Sequence, residues 1–374
     1  MKGLIITSKG IEDTACIEVK EIINTNCKAE QGCALFEFND IKDICLLCYK
    51  SQTASRVLLL INNFRFENFF EEFEKSIDNS KLGEWVHDKM QFKVECMRIG
   101  THEFKSTDVE AKAGQIIINN SKKRDVKVNI KDYETIFFVY IFDNKCYFGV
   151  DFAGFELNKR NYKIFLHPNS LRGPIAYSLI RDSGFQKKER MLDPFSRDGV
   201  TAIESALYAA DFPVNYYNKE KFAFLKLKLG IDFGKMFKSC DTKIKKTKLH
   251  IYNYDHLFKY VDYSKKNAKI AGVDKQVTFS RVELEWLDIK FKEGSLDRII
   301  SNPPTPKDNS LDKIYNEFFY QSAYILKKGG TLALISKTPD FVKRHAERHN
   351  FALLKEKEVW SSQQLLTILV FENR

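Results

Sequence analysis

Long apolar runs are missing from this sequence of 374 residues. No stretch approaches the roughly 18 uninterrupted apolar residues that a membrane-spanning helix needs. The first residues, MKGLIITSKGIEDT, carry an apolar segment that is too short for a signal peptide and meet an acidic pair at once. We therefore expect an intracellular, cytoplasmic protein that does not enter a membrane.

A cysteine framework is missing as well. The eight cysteines do not follow the regular spacing of a disulfide scaffold or a zinc site. Cys45 and Cys48 form a single C-x-x-C, for which reduced thiols on a helix are the simpler interpretation and a metal or redox role the alternative. His345 and His349 are four residues apart, which suits a metal, but a basic, solvated helix face explains them more simply. We expect no metal site.

What the sequence does have is an excess of positive charge. Lys and Arg total 60 against 50 Asp and Glu, which gives a formal net charge of +10. This surplus favours polyanionic partners, and nucleic acid first, through neutralisation of phosphates. A hydrophobic share of 44% is enough for real cores, and the length favours two or three domains.

The first 165 or so residues alternate short strands and helices. This pattern is typical of an α+β region in which helices cover one face of a small antiparallel sheet. One helix is predicted at STDVEAKAGQIIIN. Ser106 or Thr107 is a suitable N-cap for it, with Glu110 completing a capping box.

From about residue 166 the pattern changes to longer β-α units. Repeated units of this kind predict a doubly wound, mostly parallel sheet, which binds ligands outside the carboxyl ends of its strands. Residues 212–248 interrupt the alternation as an insert. The tail of this insert, KMFKSCDTKIKKTK, contains six lysines and one aspartate. Both a solvated loop and a surface that contacts phosphate are consistent with it.

Polar residues follow the first three predicted strands of this region. Asp193 ends the first strand, and Gly199 lets the backbone pass close to a ligand as a helix begins, although the spacing is not that of a dinucleotide-binding loop. Asp255 ends the second strand, where a carboxylate accepts both ribose hydroxyls or caps a helix. Glu283 follows the third strand, as a carboxylate for an adenine amino group or as a solvated side chain.

The fourth strand ends in the sequence SNPPTP. Pro303 and Pro304 have no N–H and fix φ, so the loop is stiff and its carbonyls stay free as acceptors. Asn302 adds a side-chain carbonyl beside them. Two close acceptors can hold an exocyclic amino group and orient its nitrogen lone pair at an electrophile, which is catalysis by positioning without an acid or a base. A simple turn is the alternative.

Together these residues resemble the class I S-adenosylmethionine-dependent methyltransferases that act on amino groups, with DPF…G as the cofactor loop and [ND]PP as the catalytic motif. The stretch FKVECMRIGTHEFKSTDVEAKAGQII looks like a THUMP domain, an RNA-binding module, and YFGVDFAGFELNKRNYKIFLHPNSLRGPIAYSLI looks like the junction to a methyltransferase domain. The sequence NKEKFAFLKLK is similar to an insert of rRNA guanine-N2 methyltransferases.

The resemblance to THUMP-containing RNA guanine-N2 methyltransferases implies an α+β N-terminal THUMP-type region and an α/β Rossmann-like class I methyltransferase domain. The implied domains are a ferredoxin-like region at 1–65, a THUMP-like RNA-binding domain at 66–165, and a methyltransferase domain at 166–374 with the insert 212–248. The implied reaction moves a methyl group from S-adenosylmethionine to N2 of a guanine in tRNA or rRNA, with the base flipped or unpaired. A structured RNA is the implied partner, and we expect a monomer.

The resemblance also implies roles for individual residues. The catalytic residues are Asn302, Pro303, Pro304 and Thr305. The cofactor-binding residues are Asp193, Pro194, Ser196, Gly199, Asp255, Glu283 and Asn302. The RNA-binding residues are His102, Lys105, Lys159, Arg160 and Arg172. His167 and Arg172 are expected near the cofactor entrance.

Two departures from the family pattern stand out. Family loops usually read D-P-F/M-C-G-S-G, whereas this chain has Ser196, Arg197 and Asp198 before Gly199. Thr305 replaces the aromatic residue that stacks on the target base, a contact worth roughly 1–3 kcal/mol at base-stacking sites. The alternative is therefore a catalytically inactive, methyltransferase-like RNA-binding protein. DNA adenine-N6 methylation shares the N-P-P chemistry, but the THUMP-like half argues against it.

Overall fold

A computed structural model describes residues 1–77, 79–121, 124–305 and 311–374. It divides the chain into two compact units that are built from interleaved segments. Unit 1 comprises Met1–Thr7, Ala15–Leu157 and Asn215–Phe237. Unit 2 comprises Ser8–Thr14, Asn158–Val214 and Lys238–Arg374.

Unit 1 is built on one eight-stranded sheet with the order β2-β3-β1-β4-β8-β7-β5-β6. Its strands are β1 (Lys2–Ile6), β2 (Cys27–Glu30), β3 (Cys33–Glu37), β4 (Arg56–Arg65), β5 (Gln91–Ile99), β6 (Lys127–Val128), β7 (Thr135–Phe142) and β8 (Lys145–Asp151). Its helices are α1 (Glu12–Ile23), which begins in the segment Ser8–Thr14, α2 (Ile41–Lys50), α3 (Phe69–Ser76), α4 (Asn79–Glu84) and α5 (Ser106–Asn120). The sheet is antiparallel except where β5 runs parallel to β6 and β7.

This sheet crosses the boundary predicted at residues 65 and 66. Strand β4 pairs with β8, from Leu58 opposite Asp151 to Arg65 opposite Lys145. The predicted ferredoxin-like and THUMP-like regions therefore share one continuous sheet, because the backbone N–H and C=O groups of β4 pair with those of β8, near the end of the THUMP-like region.

Part of the predicted insert, residues 215–237, belongs to unit 1. The N–H of Ala223 donates to the carbonyl of Ala153 at 3.1 Å. The ring of Phe237 packs 4.7 Å from that of Tyr49 in α2. Residues 215–237 therefore complete the core of unit 1.

The structure corrects two further local predictions in unit 1. Helix α5 is capped by Asp108, whose Oδ2 accepts the N–H of Lys105 at 2.8 Å, and Glu110 instead accepts the N–H of Cys96. Cys16 and Cys27 form a disulfide, which the irregular cysteine spacing did not predict.

The C-x-x-C pair is inert in this structure. Cys45 and Cys48 lie buried in α2, and burial raises the pKa of both thiols. Within the described ranges there is no group of three or more His, Cys, Asp or Glu side chains that could hold a metal ion. His345 is buried rather than solvated, 4.5 Å from the ring of Phe341.

Unit 2 is a doubly wound α/β unit, as predicted. Its strands are β9 (Met191–Asp193), β10 (Ile251–Asp255), β11 (Val277–Arg281), β12 (Leu296–Ser301), β13 (Leu326–Ser336), β14 (Phe351–Ser361) and β15 (Gln364–Asn373). Its helices are α6 (Gly173–Asp182), α7 (Val200–Ala209), α8 (Phe233–Asp241), which begins in unit 1, α9 (Phe258–Ala271), α10 (Leu287–Lys290), α11 (Asp312–Ile325) and α12 (Pro339–Arg348). Apolar cores cover both faces of the sheet, with α6, α7 and α9 on one side and α10, α11 and α12 on the other.

The strand order β11-β10-β9-β12-β13-β15-β14 explains where a ligand site can form. The five strands from β11 to β13 are parallel, and β15 and β14 complete the sheet in antiparallel fashion. The chain builds outward from β9 through β10 to β11 and then returns to place β12 on the other side of β9. Strands β9 and β12 therefore flank the switch point, where open α/β sheets bind ligands.

None of the helices in the described parts of the chain is long and apolar enough to cross a membrane.

Candidate active site

A cleft of about 350 Å³ opens at the carboxyl ends of the parallel strands of unit 2. It is lined by His167, Asn169, Pro194, Phe195, Arg197, Asp255, His256, Tyr260, Val282, Glu283, Leu284, Glu285, Pro304 and Ile314. The cleft thus brings together the ends of four strands that lie far apart in the sequence. Of the residues predicted for cofactor binding and catalysis, four line it directly: Pro194, Asp255, Glu283 and Pro304.

Asp255 lies on the cleft wall with both carboxylate oxygens partly engaged. Its Oδ1 accepts the N–H of Leu257 at 3.0 Å, and its Oδ2 accepts the N–H of Arg197 at 3.1 Å. Leu257, and not Asp255, is the N-cap residue of α9, so the helix-cap interpretation does not hold. Burial raises the pKa of Asp255. Each oxygen keeps a further lone pair, so the carboxylate can still accept two hydroxyl groups.

Glu283 lies two residues beyond β11 in the same wall. Its Oε1 is 3.4 Å from Nη2 of Arg281, and 36% of its side chain is exposed. Val282 and Leu284 flank it and make this part of the cleft apolar. A carboxylate between two apolar side chains can bind a flat ring that carries an amino group.

Asp193 does not line the cleft but ties β9 to the end of β12. Its Oδ1 accepts the hydroxyl of Ser301 at 2.5 Å and the N–H of Phe195 at 3.2 Å. Burial raises the pKa of Asp193 from 3.8 to about 7. Desolvation therefore disfavours the charged form of Asp193, and we expect this carboxyl to titrate near neutral pH.

We expect Asp193→Asn to stabilise the protein at pH 8 and to have little effect at about pH 3, below the unfolded-state pKa. The folded state binds the proton of Asp193 more tightly than the unfolded state does, so stability falls as pH rises from about 4 to 7. A rise from 3.8 to about 7 corresponds to on the order of 4 kcal/mol, as an upper limit. The amide keeps an acceptor for Ser301 and Phe195. Urea unfolding of both proteins at the two pH values measures the difference.

Asp297 provides the control for this measurement. Burial alone would raise its pKa, but Nζ of Lys327 and the N–H of Arg190 lower it. Asp297→Asn should therefore be destabilising at pH 8 and nearly neutral at low pH. The same pH trend in both variants would contradict the account of Asp193.

Two other residues of the predicted cofactor loop do not line the cleft. Gly199 has φ 81° at the N-terminus of α7, and a Cβ there would lie 2.5 Å from the Cβ of Ser264 in α9. Its need for glycine comes from this turn and from helix packing, rather than from ligand approach. Ser196 is buried, and its N–H donates to the carbonyl of Tyr254 at 2.9 Å.

Among the described residues, three hydrogen bonds hold the N-P-P loop. Nδ2 of Asn302 donates to the carbonyl of Asn169 at 3.0 Å. Nη2 of Arg197 donates to the carbonyl of Pro303 at 2.7 Å. The hydroxyl of Tyr315 donates to the carbonyl of Pro304 at 2.8 Å. The expectation that both proline carbonyls stay free is therefore wrong, although each retains one lone pair.

The remaining catalytic prediction concerns Thr305. This residue is partly exposed and does not line the cleft. Pro306, the last residue of the SNPPTP motif, lies outside the described residues.

Arg160 is the clearest correction among the predicted RNA-binding residues. Its guanidinium is 2% exposed and forms a bidentate pair with Glu204, with distances of 2.7 Å and 3.2 Å. The hydroxyl of Tyr162 donates to the same carboxylate at 2.6 Å. Arg160 is thus a buried structural residue and does not present its charge to a phosphate.

The other predicted RNA-binding residues are accessible to different degrees. Lys105, Lys159 and Arg172 are exposed, and Arg172 also donates to the hydroxyl of Ser362. His102 is half-buried, with Nε2 2.7 Å from the carbonyl of Asp143. These four remain predictions for RNA contact.

Several residues of the cleft, among them Asn169 and Tyr260, were not predicted from the sequence, whereas His167 was. His167 was expected near the entrance, and its ring lies 4.7 Å from that of Tyr260 in an edge-to-face arrangement. Its Nδ1 accepts the N–H of Asn169 at 3.0 Å, and burial together with Arg197 lowers its pKa. The junction sequence HPN was the only signal for Asn169, whereas nothing local distinguishes Tyr260 in α9 from a core tyrosine.

Comparison with known families now decides the class of protein. The family described as RMKL-like, methyltransferase domain, matches residues 160–367, and the THUMP domain family matches residues 67–151. This chain belongs to the RMKL-like methyltransferase family. The predicted THUMP-type region and Rossmann-like methyltransferase domain are confirmed, and the methyltransferase carries a THUMP domain ahead of its catalytic domain.

Similar proteins of known name are RNA methyltransferases. The tRNA (guanine(6)-N2)-methyltransferase of Methanocaldococcus jannaschii is 30% identical over 341 residues, which cover 87% of each chain. The protein of the same name from Archaeoglobus fulgidus is 26% identical and covers 97% of this methyltransferase and 90% of its own length. The ribosomal RNA large subunit methyltransferase K/L of Aliivibrio fischeri is 24% identical, and the match covers 91% of this methyltransferase but only 49% of the relative.

Solved structures confirm the fold over the full chain. SMU.472, described as a putative methyltransferase complexed with SAH, superposes with a TM-score of 0.82 at 18% identity, covering 100% of this methyltransferase and 98% of that chain. TrmN from Thermus thermophilus superposes with a TM-score of 0.71 at 20% identity, covering 100% and 99%.

Proposed function

We propose that this methyltransferase transfers a methyl group from S-adenosylmethionine to the exocyclic N2 amino group of a guanine in tRNA. The two relatives named tRNA (guanine(6)-N2)-methyltransferase match over nearly their whole length. The rRNA methyltransferase K/L relative is about twice as long as the region that matches. This difference favours tRNA over rRNA, and guanine 6 is the first position to test.

The cleft fits the cofactor. S-adenosylmethionine supplies an electrophilic methyl group when it is bound. Asp255 has a lone pair left on each carboxylate oxygen for the two ribose hydroxyls, and Glu283 lies between Val282 and Leu284 for an adenine ring and its amino group. The carboxylates also suit a cofactor with net positive charge.

The observation that carries the proposal is the position of Asn302. It follows β12 at the switch point, and its Nδ2 is held by Asn169, which itself lines the cleft. Oδ1 and Nδ2 belong to the same planar amide group of Asn302, so the hydrogen bond from Nδ2 to Asn169 also fixes the direction of Oδ1. Oδ1 and the remaining lone pair of the Pro303 carbonyl accept the two hydrogens of the base amino group. This orients the nitrogen lone pair towards the methyl group.

The RNA is held by the THUMP-containing part of the chain and by basic residues of unit 2. Lys105 lies at the start of α5 in the matched THUMP region, and Lys159 and Arg172 flank the segment that leads into the methyltransferase domain. All three are exposed, and each is a candidate for a phosphate contact. The target base leaves its stack to reach the cleft.

No observation within the described parts of the chain supports the alternative of an inactive RNA-binding protein. Arg197 and Thr305 depart from the family loops, but Asp255, Glu283 and Pro304 line the cleft, and Asn302 donates to the carbonyl of Asn169 in its wall.

The deciding experiment is mass spectrometry of nucleosides from unmodified tRNA transcripts incubated with the protein and S-adenosylmethionine. We expect N2-methylguanosine, and we expect it to vanish when guanine 6 alone is replaced by adenine. An rRNA fragment serves as the competing substrate. If calorimetry shows cofactor binding but no RNA acquires N2-methylguanosine, the proposed function is wrong; methylation that survives loss of guanine 6 refutes only the position.

A further inference from the structure

Arg197 occupies a position where the backbone favours glycine. Its φ is 52°, in the left-handed region that a side chain with a Cβ adopts only when its surroundings hold it there. The residue is also 92% buried, since only 8% of its surface is exposed. A strained, buried arginine in the wall of a ligand cleft points to a role in that site.

The side chain of Arg197 joins two loops of the site. Nη1 donates to the carbonyl of Asn169 at 2.6 Å, and Nη2 donates to the carbonyl of Pro303 at 2.7 Å. Because the guanidinium is planar and its donors are fixed relative to one another, these two bonds set the separation of the two carbonyls.

The carbonyl of Asn169 accepts a second bond that matters for catalysis. Nδ2 of Asn302 donates to it at 3.0 Å, next to the bond from Arg197. A carbonyl oxygen has two lone pairs, so these two donors use its full capacity. Movement of Asn169 would therefore release the amide of Asn302, and Oδ1 would lose its fixed direction.

We propose that Arg197 is a positioning residue for methyl transfer: its guanidinium clamps Asn169 to Pro303 and thereby orients Asn302. This inference rests on the proposed function, in which Oδ1 of Asn302 accepts the base amino group. Arg197 acts through these neighbours and does not itself contact the base in this proposal.

The neighbouring residue explains how a cation is tolerated beside a cofactor that is itself cationic. Asp198 is buried, and within the described ranges neither of its carboxylate oxygens accepts a hydrogen bond. Nζ of Lys163 is 3.8 Å from its Oδ2. Burial lowers the pKa of the Arg197 guanidinium, and the carboxylates of Asp193, Asp198 and Asp255 oppose that shift. Asp193, Asp198 and Asp255 together thus oppose the loss of the charge that Arg197 introduces into the loop.

Two substitutions separate the clamp from the charge. Arg197→Gly removes both and restores the residue that the backbone favours. Arg197→Lys keeps the charge but cannot bond both carbonyls with a rigid fork. We expect kcat for tRNA to fall by about tenfold or more in both variants, because the position of Asn302 is lost.

Cofactor affinity provides a second readout that a merely structural role would not move in this way. S-adenosylmethionine carries a positive sulfur and S-adenosylhomocysteine does not. With the cation of Arg197 removed, we expect the ratio of their dissociation constants to shift by about threefold or more in favour of S-adenosylmethionine. Arg197→Lys should leave this ratio unchanged. Calorimetry measures both dissociation constants. For Arg197→Gly we expect a fall in kcat together with tighter binding of S-adenosylmethionine relative to S-adenosylhomocysteine.

Amide hydrogen exchange tests the clamp in the free protein, independently of any RNA. We expect the N–H groups of Asn302 and Ser170 to exchange about tenfold faster in Arg197→Gly. Unchanged exchange, or a kcat within twofold of the parent, overturns the positioning role. If the parent protein makes no N2-methylguanosine, the proposed function fails while the exchange result still decides the clamp.

Discussion

Asn302→Ala should abolish methyl transfer while leaving cofactor binding intact. The substitution removes the Oδ1 acceptor, and loss of one such polar group at a reacting centre lowers kcat by roughly 10²-fold or more. Asn302 does not line the cleft, so the dissociation constant of S-adenosylmethionine should stay within about threefold of the parent. Single-turnover kinetics with tRNA and calorimetry with the cofactor give the two numbers.

Asn302→Asp is the matched control for this prediction. Aspartate keeps an oxygen acceptor of the same reach but loses the donor that bonds the carbonyl of Asn169 at 3.0 Å. We expect activity between that of the parent and that of the alanine variant. An alanine variant that retains a fifth or more of the parent activity, roughly a 1 kcal/mol change, would show that the acceptor lies elsewhere.

Arg160→Met should lower the free energy of unfolding by about 3–5 kcal/mol, since it leaves the buried carboxylate of Glu204 without its cation. The pair is 2.7 Å apart with side chains 2% and 0% exposed, so solvent does little to screen it. The double variant Arg160→Met with Glu204→Leu should recover most of the loss, because two apolar side chains can replace a buried pair. Urea unfolding of the single and double variants measures both effects.

The same double variant tests whether Arg160 contacts RNA. Because its side chain is buried, the salt dependence of tRNA binding should match that of the parent. Lys159→Ala, which removes an exposed cation one residue earlier, should reduce the slope of log K against log salt by about 1 if it meets a phosphate. A reduced slope of log K against log salt in the double variant would show that Arg160 does contact a phosphate of the RNA.

Much of unit 2 could be predicted from the sequence because its signals are local. Each β-α unit places an apolar strand before an amphipathic helix, and parallel strands meet at one edge of a sheet. Asp193, Asp255, Glu283 and Asn302 were therefore expected near one site. Asp255 and Glu283 line one cleft, Asp193 accepts the hydroxyl of Ser301 at the end of β12, and Asn302 donates to the carbonyl of Asn169 in the cleft wall.

What could not be predicted depends on partners that are distant in sequence. The sequence around Arg160 predicts a solvated cation, whereas the structure pairs it with Glu204, which is 44 residues away in the sequence. Strand β8 is buried over six of its seven residues and shows no alternation, so KCYFGVD reads as part of a junction. In the sequence, Arg197 indicates only that a glycine of the family loop is missing. Its hydrogen bonds to the carbonyls of Asn169 and Pro303 can be found only in the structure.

The segmented construction of unit 1 has a consequence for the protein as it is being made. A nascent chain of 157 residues already contains every strand of the first sheet, yet it still lacks Asn215–Phe237. Until those residues leave the ribosome, the ring of Tyr49 has no contact with Phe222 or Phe237. Because domains generally complete their folding as units during synthesis, we expect unit 1 to reach its final stability only after more than half of the chain has been translated.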